Sequence, residues 1–444
     1  IDYRNLVIYS VYVRSHSASG TFAEVEKDLP RIKDLGVDIV WFLPIHPIGQ
    51  LNKKGSLGCP YSISDYTKVN PEYGTLDDFA RLVRRAHELG LKVMIDVVYN
   101  HTSHDSVYLQ EHPEWYHKDA NGKATTTVPE WSDIIDLNFG SAKTPNKALW
   151  DSLISALKQW ISLGVDGFRC DVASIVPLEF WLKARKEIEA INPNTIWLAE
   201  SVHAGFVVQR RNEGRVGHSD SELYQAFDIT YDYDIWEVWR ACAKGAAPLH
   251  RYLEFLLQQE SIYPANYCKM RFVENHDQAR IFDFAASRNQ ALAWTAFQCF
   301  NRGAFLIYAG QESAATQKPS LFEAEPVNWG SFELQPFLTK LAALKKQQSQ
   351  NAEFLILHCE SYIQATWQNP SGENLYGIFN VHSKAGNASV QLADGKYKDV
   401  LSEKIIEVSS GEISAPESVF VLAYEGKLNN PRPYIPPVWH FKIE

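Results

Sequence analysis

The sequence predicts an α/β fold: a (β/α)8 TIM barrel with an insertion after its third strand and a C-terminal antiparallel β-sandwich domain. Three observations predict it. Short apolar runs alternate eight times with helical stretches between residues 6 and 308, the pattern of buried parallel strands and their covering helices. Several of those runs end in charged residues, where a barrel of this kind projects its working side chains. From about residue 351 the apolar period falls to two and turn residues multiply, so an antiparallel unit follows. The expected division is 1–101 and 140–350 for the barrel, 102–139 for the insertion and 351–444 for the terminal domain.

The first strand is expected at 6–13. Residues 21–35 have helical spacing that stops at Gly36, and 37–43 form an apolar strand ended by Pro44. Residues 76–89 form a helix because Thr75 can cap it, Asp77 and Asp78 suit its positive end, and Gly90 stops it. The third strand is expected at 91–98. Between His101 and Phe139 the rhythm fails. That stretch is polar and aromatic, with His104, Trp115, Tyr116, His117 and Trp131. A long insertion here overhangs the C-terminal mouth of the barrel, where substrates bind. Strands follow at 167–171, 196–200, 226–229, 269–273 and 304–308, with helices at 149–163, 179–191, 250–259 and 290–300. Candidate functional residues lie on many strands rather than at one switch point, which favours a closed barrel over an open sheet. In the terminal region 362–367 and 374–381 alternate, and the tail Asn430–Pro437 reads as extended.

Composition narrows the function classes. With 444 residues the chain supports two or three domains, and 45% hydrophobic with 22% charged residues is ordinary for a globular protein. No run approaches the roughly 18 apolar residues of a membrane span, so no membrane partner is expected. A net charge of −10 argues against nucleic acid, whereas a neutral sugar is indifferent to it. The six cysteines are scattered without a C-x-x-C, which disfavours zinc and redox chemistry and suggests reduced thiols in the cytoplasm. Secretion stays open, because the chain begins Ile1-Asp2 and a leader could precede it. No organic cofactor is expected, and oligomeric state is not legible.

Four strand ends carry carboxylates: Asp96 in Asp96-Val97-Val98-Tyr99-Asn100-His101, Asp171 in Gly167-Phe168-Arg169-Cys170-Asp171, Glu200 after Trp197-Leu198-Ala199, and Asp277 in Phe272-Val273-Glu274-Asn275-His276-Asp277. One such residue alone is more often a helix cap or a loop ion pair. Four in this order, with Arg169, His101 and His276, make an acid–base constellation. Arg169 and Asp171 lie two apart on one strand and point the same way, so the guanidinium is expected to keep Asp171 ionised. Glu200, after an apolar run and facing other carboxylates, is expected to have a raised pKa.

These segments resemble the α-amylase family of retaining glycoside hydrolases and transglycosylases. Weaker matches are Ile135-Asp136-Leu137-Asn138 and Tyr61-Ser62-Ile63-Ser64-Asp65-Tyr66, and order and context agree along the whole chain. The resemblance implies Asp171 as nucleophile, Glu200 as acid and base, and Asp277 as the carboxylate that grips the sugar in the transition state. It further implies His101 and His276 as donors to sugar hydroxyls, Asp96 as the partner of Arg169, and Tyr61 as the ring beneath the sugar. Asn100 and Asp136 match positions that help bind a structural calcium, the candidate cofactor here. Many starch-degrading members have Lys-His three and four residues after the nucleophile. Ser174 and Ile175 stand there instead, which shifts the expectation toward short maltodextrins.

The leading expectation is thus a retaining, α-amylase-like hydrolase of α-1,4 links in starch-derived α-glucans. The alternatives are an α-glucan or sucrose transglycosylase, an α-1,6-acting glucosidase, and a non-catalytic carbohydrate-binding protein. A His101/His104 metal pair is disfavoured, since no third ligand is apparent.

Overall fold

The computed structural model describes residues 2–348, 351–358, 360–428 and 430–439. Eight parallel strands close a barrel: β1 (Val7–Val11), β2 (Ile39–Phe42), β3 (Lys92–Val97), β6 (Gly167–Cys170), β7 (Ile196–Ala199), β8 (Ile229–Tyr231), β9 (Lys269–Arg271) and β10 (Ala304–Tyr308). The gap in numbering is the insertion, where β4 (His101–Ser103) pairs antiparallel with β5 (Ile134–Asp136). Round the barrel the order is β1-β10-β9-β8-β7-β6-β3-β2, so β7 lies across the mouth from β1. The strands are buried on both faces because helices cover the outside and side-chain layers fill the inside.

Helix ends follow the local chemistry. Thr75 and Asp78 form a reciprocal capping box on the helix Leu76–Glu88, and Gly164 ends Lys147–Leu163 in a left-handed conformation. Two expectations shift. The sixth strand is Ile229–Tyr231, three residues later than its apolar run. Phe227 instead leaves the sheet and packs against Trp181 and Trp197. His101 belongs to the insertion sheet rather than to the end of β3.

The helix Gln335–Gln347 closes the barrel and carries a buried Lys345, whose Nζ donates to the carbonyls of Cys299 and Asn301. Beyond it lies an antiparallel domain. Strands β11 (Glu353–Leu357), β12 (Ile363–Gln368), β13 (Glu373–Phe379), β15 (Gly395–Asp399), β16 (Ile405–Val408) and β18 (Val419–Glu425) form one sheet. Strands β14 (Asn387–Ser389) and β17 (Glu412–Ser414) form a second. Tyr376, Ile378 and Leu422 meet Ala388 and Ile413 between them, the two-layer arrangement of a sandwich. Trp367 Nε1 donates to the Phe300 carbonyl at 2.7 Å and fastens the domain to the barrel.

Five cysteines are unpaired thiols, and Cys359 lies outside the described residues. No helix among the described residues is long and apolar enough to cross a membrane.

Candidate active site

The carboxylates gather at the mouth because the ladder carries them there. Asp171 N–H donates to Val97 O and Glu200 N–H to Cys170 O, both at 2.9 Å, so the residues after β6 and β7 stay in register. Asp96 pairs directly with Arg169 across β3 and β6.

Arg169 is fully buried and organises the centre. One terminal nitrogen donates to Asp96 Oδ1 at 3.0 Å and Asp171 Oδ1 at 2.9 Å, and the other lies 3.3 Å from Glu200 Oε2. Its remaining donors reach the Tyr231 hydroxyl at 3.0 and 3.1 Å, and its face lies over Trp41. A planar, permanently charged fork is the side chain that can serve three carboxylates at once.

Asp96 is sealed in by Trp41 Nε1 at 3.2 Å and the Tyr61 hydroxyl at 2.8 Å. Tyr61 stacks on His276 with ring centres 5.4 Å apart, and its oxygen lies 2.9 Å from His276 Nε2. His276 Nε2 in turn lies 3.1 Å from Asp277 Oδ2. His101 is buried nearby, bonded through Nδ1 to Asn100. The eight residues expected at the catalytic and sugar-binding positions are therefore one connected group. Asp171, Glu200, Asp277, Tyr61 and His101 line a cavity of about 350 Å³, and Asp96, Arg169 and His276 support it from behind.

The electrostatics correct one expectation. Burial and the neighbouring Glu200 push the Asp171 carboxyl well above its usual range, against the pull of Arg169. A single guanidinium shared among three carboxylates is too little positive charge to dominate at any one of them. Asp277 behaves oppositely. Burial opposes its charge, yet His276 and then Arg169 hold it down to about 2, and its side chain is 42% exposed. Burial also lowers His101, with Asp136 and Asp133 opposing. Cys59 lines the cavity, but burial pushes its thiol up to about 12, so it is no nucleophile.

Sequence reasoning missed the turn at Val172. This β-branched residue sits at φ 36° and ψ 45°, a left-handed conformation it adopts only under constraint. The turn aims its N–H at Glu200 Oε2, 2.7 Å away. Lys54, Asp133, Leu321 and Phe322 also line the cavity, on loops that carry no periodic signal. Ser174, where other members place a cation, instead accepts from Val202 N–H at 2.9 Å and is buried. Ile175 joins Val172, Val202 and Val207 in an apolar patch faced by Trp131 and Phe206.

A family model described as the α-amylase catalytic domain matches residues 10–136 and 130–362, and one described as the bacterial α-amylase C-terminal domain matches 358–422. The chain belongs to the α-amylase family. It is a glycoside hydrolase of that family. An α-amylase structure from Lactobacillus plantarum is 44% identical, with a TM-score of 0.90 over 95% of this chain and 99% of that one. A maltogenic α-amylase from Thermotoga neapolitana is 32% identical, with a TM-score of 0.84 over 96% and 100%. An α-1,4-glucan:maltose-1-phosphate maltosyltransferase from Cereibacter sphaeroides is 34% identical over 237 residues, which are 49% of this chain and 39% of the relative. The chain thus spans about two fifths of that relative's length.

The calcium candidates are separate from this chemistry. Asn100 spends its amide nitrogen on His101. Asp136 Oδ2 accepts from the N–H and hydroxyl of Thr127, and its Oδ1 is buried with no hydrogen-bond partner. Calcium takes six to eight oxygens, from side chains, backbone carbonyls and waters together. Arg210, from the helix Ala204–Asn212, donates to Thr127 Oγ1 at 2.8 Å and is drawn electrostatically to Asp136. Among the described residues no group of three or more His, Cys, Asp or Glu is arranged to hold a metal ion. His104 Nε2 bonds the Ser132 carbonyl at 2.9 Å.

Proposed function

We propose that the protein hydrolyses α-1,4 links of starch-derived maltodextrins by double displacement, with retention at the anomeric carbon. The observation that carries this reading is Arg169, which holds Asp171 and Glu200 on its two terminal nitrogens at the cavity floor. Sharing one fork brings the two carboxyls close together, in keeping with a retaining pair, for which the separation is roughly 5–5.5 Å.

In the first step Asp171 attacks the anomeric carbon while Glu200 gives its proton to the departing oxygen. In the second, Glu200 takes a proton from water, the water oxygen bonds to the anomeric carbon, and Asp171 leaves. The first half needs Asp171 as the carboxylate and the proton on Glu200, and the second half returns that proton to Glu200. Asp277, ionised and open to the cavity, grips the sugar hydroxyls and holds more tightly as the ring gains positive charge. Tyr61, fixed by Asp96 and His276, supplies the face beneath that ring.

A second reading is glycosyl transfer. Trp131, Phe206 and the apolar patch beside Glu200 would seat an acceptor sugar and exclude water. The maltosyltransferase likeness points the same way. Product analysis on maltoheptaose, with and without glucose, separates the two. Only shorter products support hydrolysis, longer products support transfer, and no products refute both.

A further inference from the structure

The cavity has an end wall that the bond-breaking chemistry does not use. Strand β7 lies across the barrel mouth from β1, which β2 and β10 flank. In the function proposed above, Glu200 at the end of β7 protonates the leaving group. The leaving half of the substrate therefore lies over β6 and β7. The half retained on the enzyme lies toward the loops that follow β2 and β10.

Those two loops are stitched together. Leu57 N–H donates to Phe322 O at 3.1 Å, Ser56 N–H donates to Glu323 Oε1 at 2.8 Å, and the Ser56 hydroxyl bonds the same carboxylate. The buried Arg14 joins both, donating to Gly58 O at 2.9 Å and Leu321 O at 3.0 Å. Gly55, at φ +64°, leaves no space between them: a Cβ there would come within 2.6 Å of Phe322 and Glu323. Lys54 then reaches from this wall to the insertion. Its Nζ lies 3.5 Å from Asp133 Oδ1 and 6.0 Å from the Phe322 ring centre. Lys54, Asp133 and Phe322 line the same 350 Å³ cavity as the catalytic carboxylates. That volume is at the low end of ligand pockets, roughly 300–1,000 Å³.

We infer that this wall caps the retained side of the substrate, with Lys54 and Asp133 as the specificity-determining crossbar. The inference rests on the function proposed above and adds a mode of action. The enzyme takes one or two glucosyl units from the non-reducing end of a chain instead of cutting within it. Both members of the crossbar can bond sugar hydroxyls, so the pair reads the terminal unit as well as blocking a longer one.

The test is cleavage of maltoheptaose labelled at its reducing end. The expected unlabelled products are glucose and maltose, in about tenfold or greater excess over longer unlabelled fragments, a margin within reach of a steric specificity pocket. Comparable amounts of longer unlabelled fragments overturn the inference alone. No cleavage at all overturns the proposed function and this inference with it. Lys54→Ala and Asp133→Asn, each checked for an intact melting curve, should raise the share of unlabelled trisaccharide and longer by about threefold or more. An unchanged product pattern in both overturns the role of the crossbar.

Discussion

Replacing Asp171 by Asn should make the protein inactive and more stable. Three carboxylates share Arg169, and Asp171 is the one whose charge burial and Glu200 oppose most clearly. When all three are ionised, the cluster holds two uncompensated negative charges; the substitution removes one. Asp96 and Glu200 keep their contacts with the guanidinium. A carboxyl whose pKa is raised by folding weakens the fold only where it must ionise. The penalty is absent below its ordinary value near 3.8, grows as the pH rises, and is complete above the raised value. Asp171→Asn should therefore gain about 0.5–2 kcal/mol at pH 7, the usual scale for relieving a strained functional site, and nothing below pH 4. In melting temperature that is roughly 1–6 °C. Turnover should fall by about four orders of magnitude or more, as for other lost nucleophiles. Asp277→Asn is the control of opposite sign. Its folded pKa is depressed to about 2, so its stabilising pair with His276 is present above 3.8 and lost as the pH falls through 2. At 42% exposure it should cost less than about 1 kcal/mol at pH 7. Melting curves from pH 4 to 8 with parallel rate measurements decide the matter. An Asp171→Asn protein that melts lower at pH 7, or keeps a tenth of the activity, refutes the reasoning.

Glu200→Gln should impair maltodextrin cleavage far more than the first step on an activated aryl glycoside, because only the poor leaving group needs a proton. Equal losses on both substrates would remove Glu200 from the acid role. Arg210→Ala should lower stability by about 1–3 kcal/mol, because Thr127 loses the charged donor that ties the insertion to the barrel. The unaltered protein should melt at the same temperature in calcium and in excess chelator. A chelator-induced drop, with calcium found by elemental analysis, would put a bound cation at Asn100 and Asp136 instead.

The barrel was legible because its strands are buried on both faces, so each leaves an apolar run bounded by turn residues. Asp171, Glu200 and Asp277 were legible because strand ends deliver side chains to the mouth at fixed offsets. What escaped depends on loops. The left-handed turn at Val172 leaves no trace in a residue that ordinarily favours strands. Lys54 and Asp133 are far apart in the chain, and nothing local tells that they meet. Arg210, which bonds Thr127 in the insertion, arrives from a helix beyond β7 that no pattern links to it. The sixth strand slid because Phe227 is apolar for packing outside the sheet, whereas Thr230 and Tyr231 carry the strand.

The most direct test of the central claim is the anomeric form of the first product. NMR spectra collected in the opening moments of maltoheptaose hydrolysis, before mutarotation, should show the new reducing ends as the α-anomer. Two inversions at one carbon, through a glycosyl–Asp171 intermediate, require it. Early appearance of the β-anomer would mean a single displacement by water, and Asp171 would then not be the nucleophile.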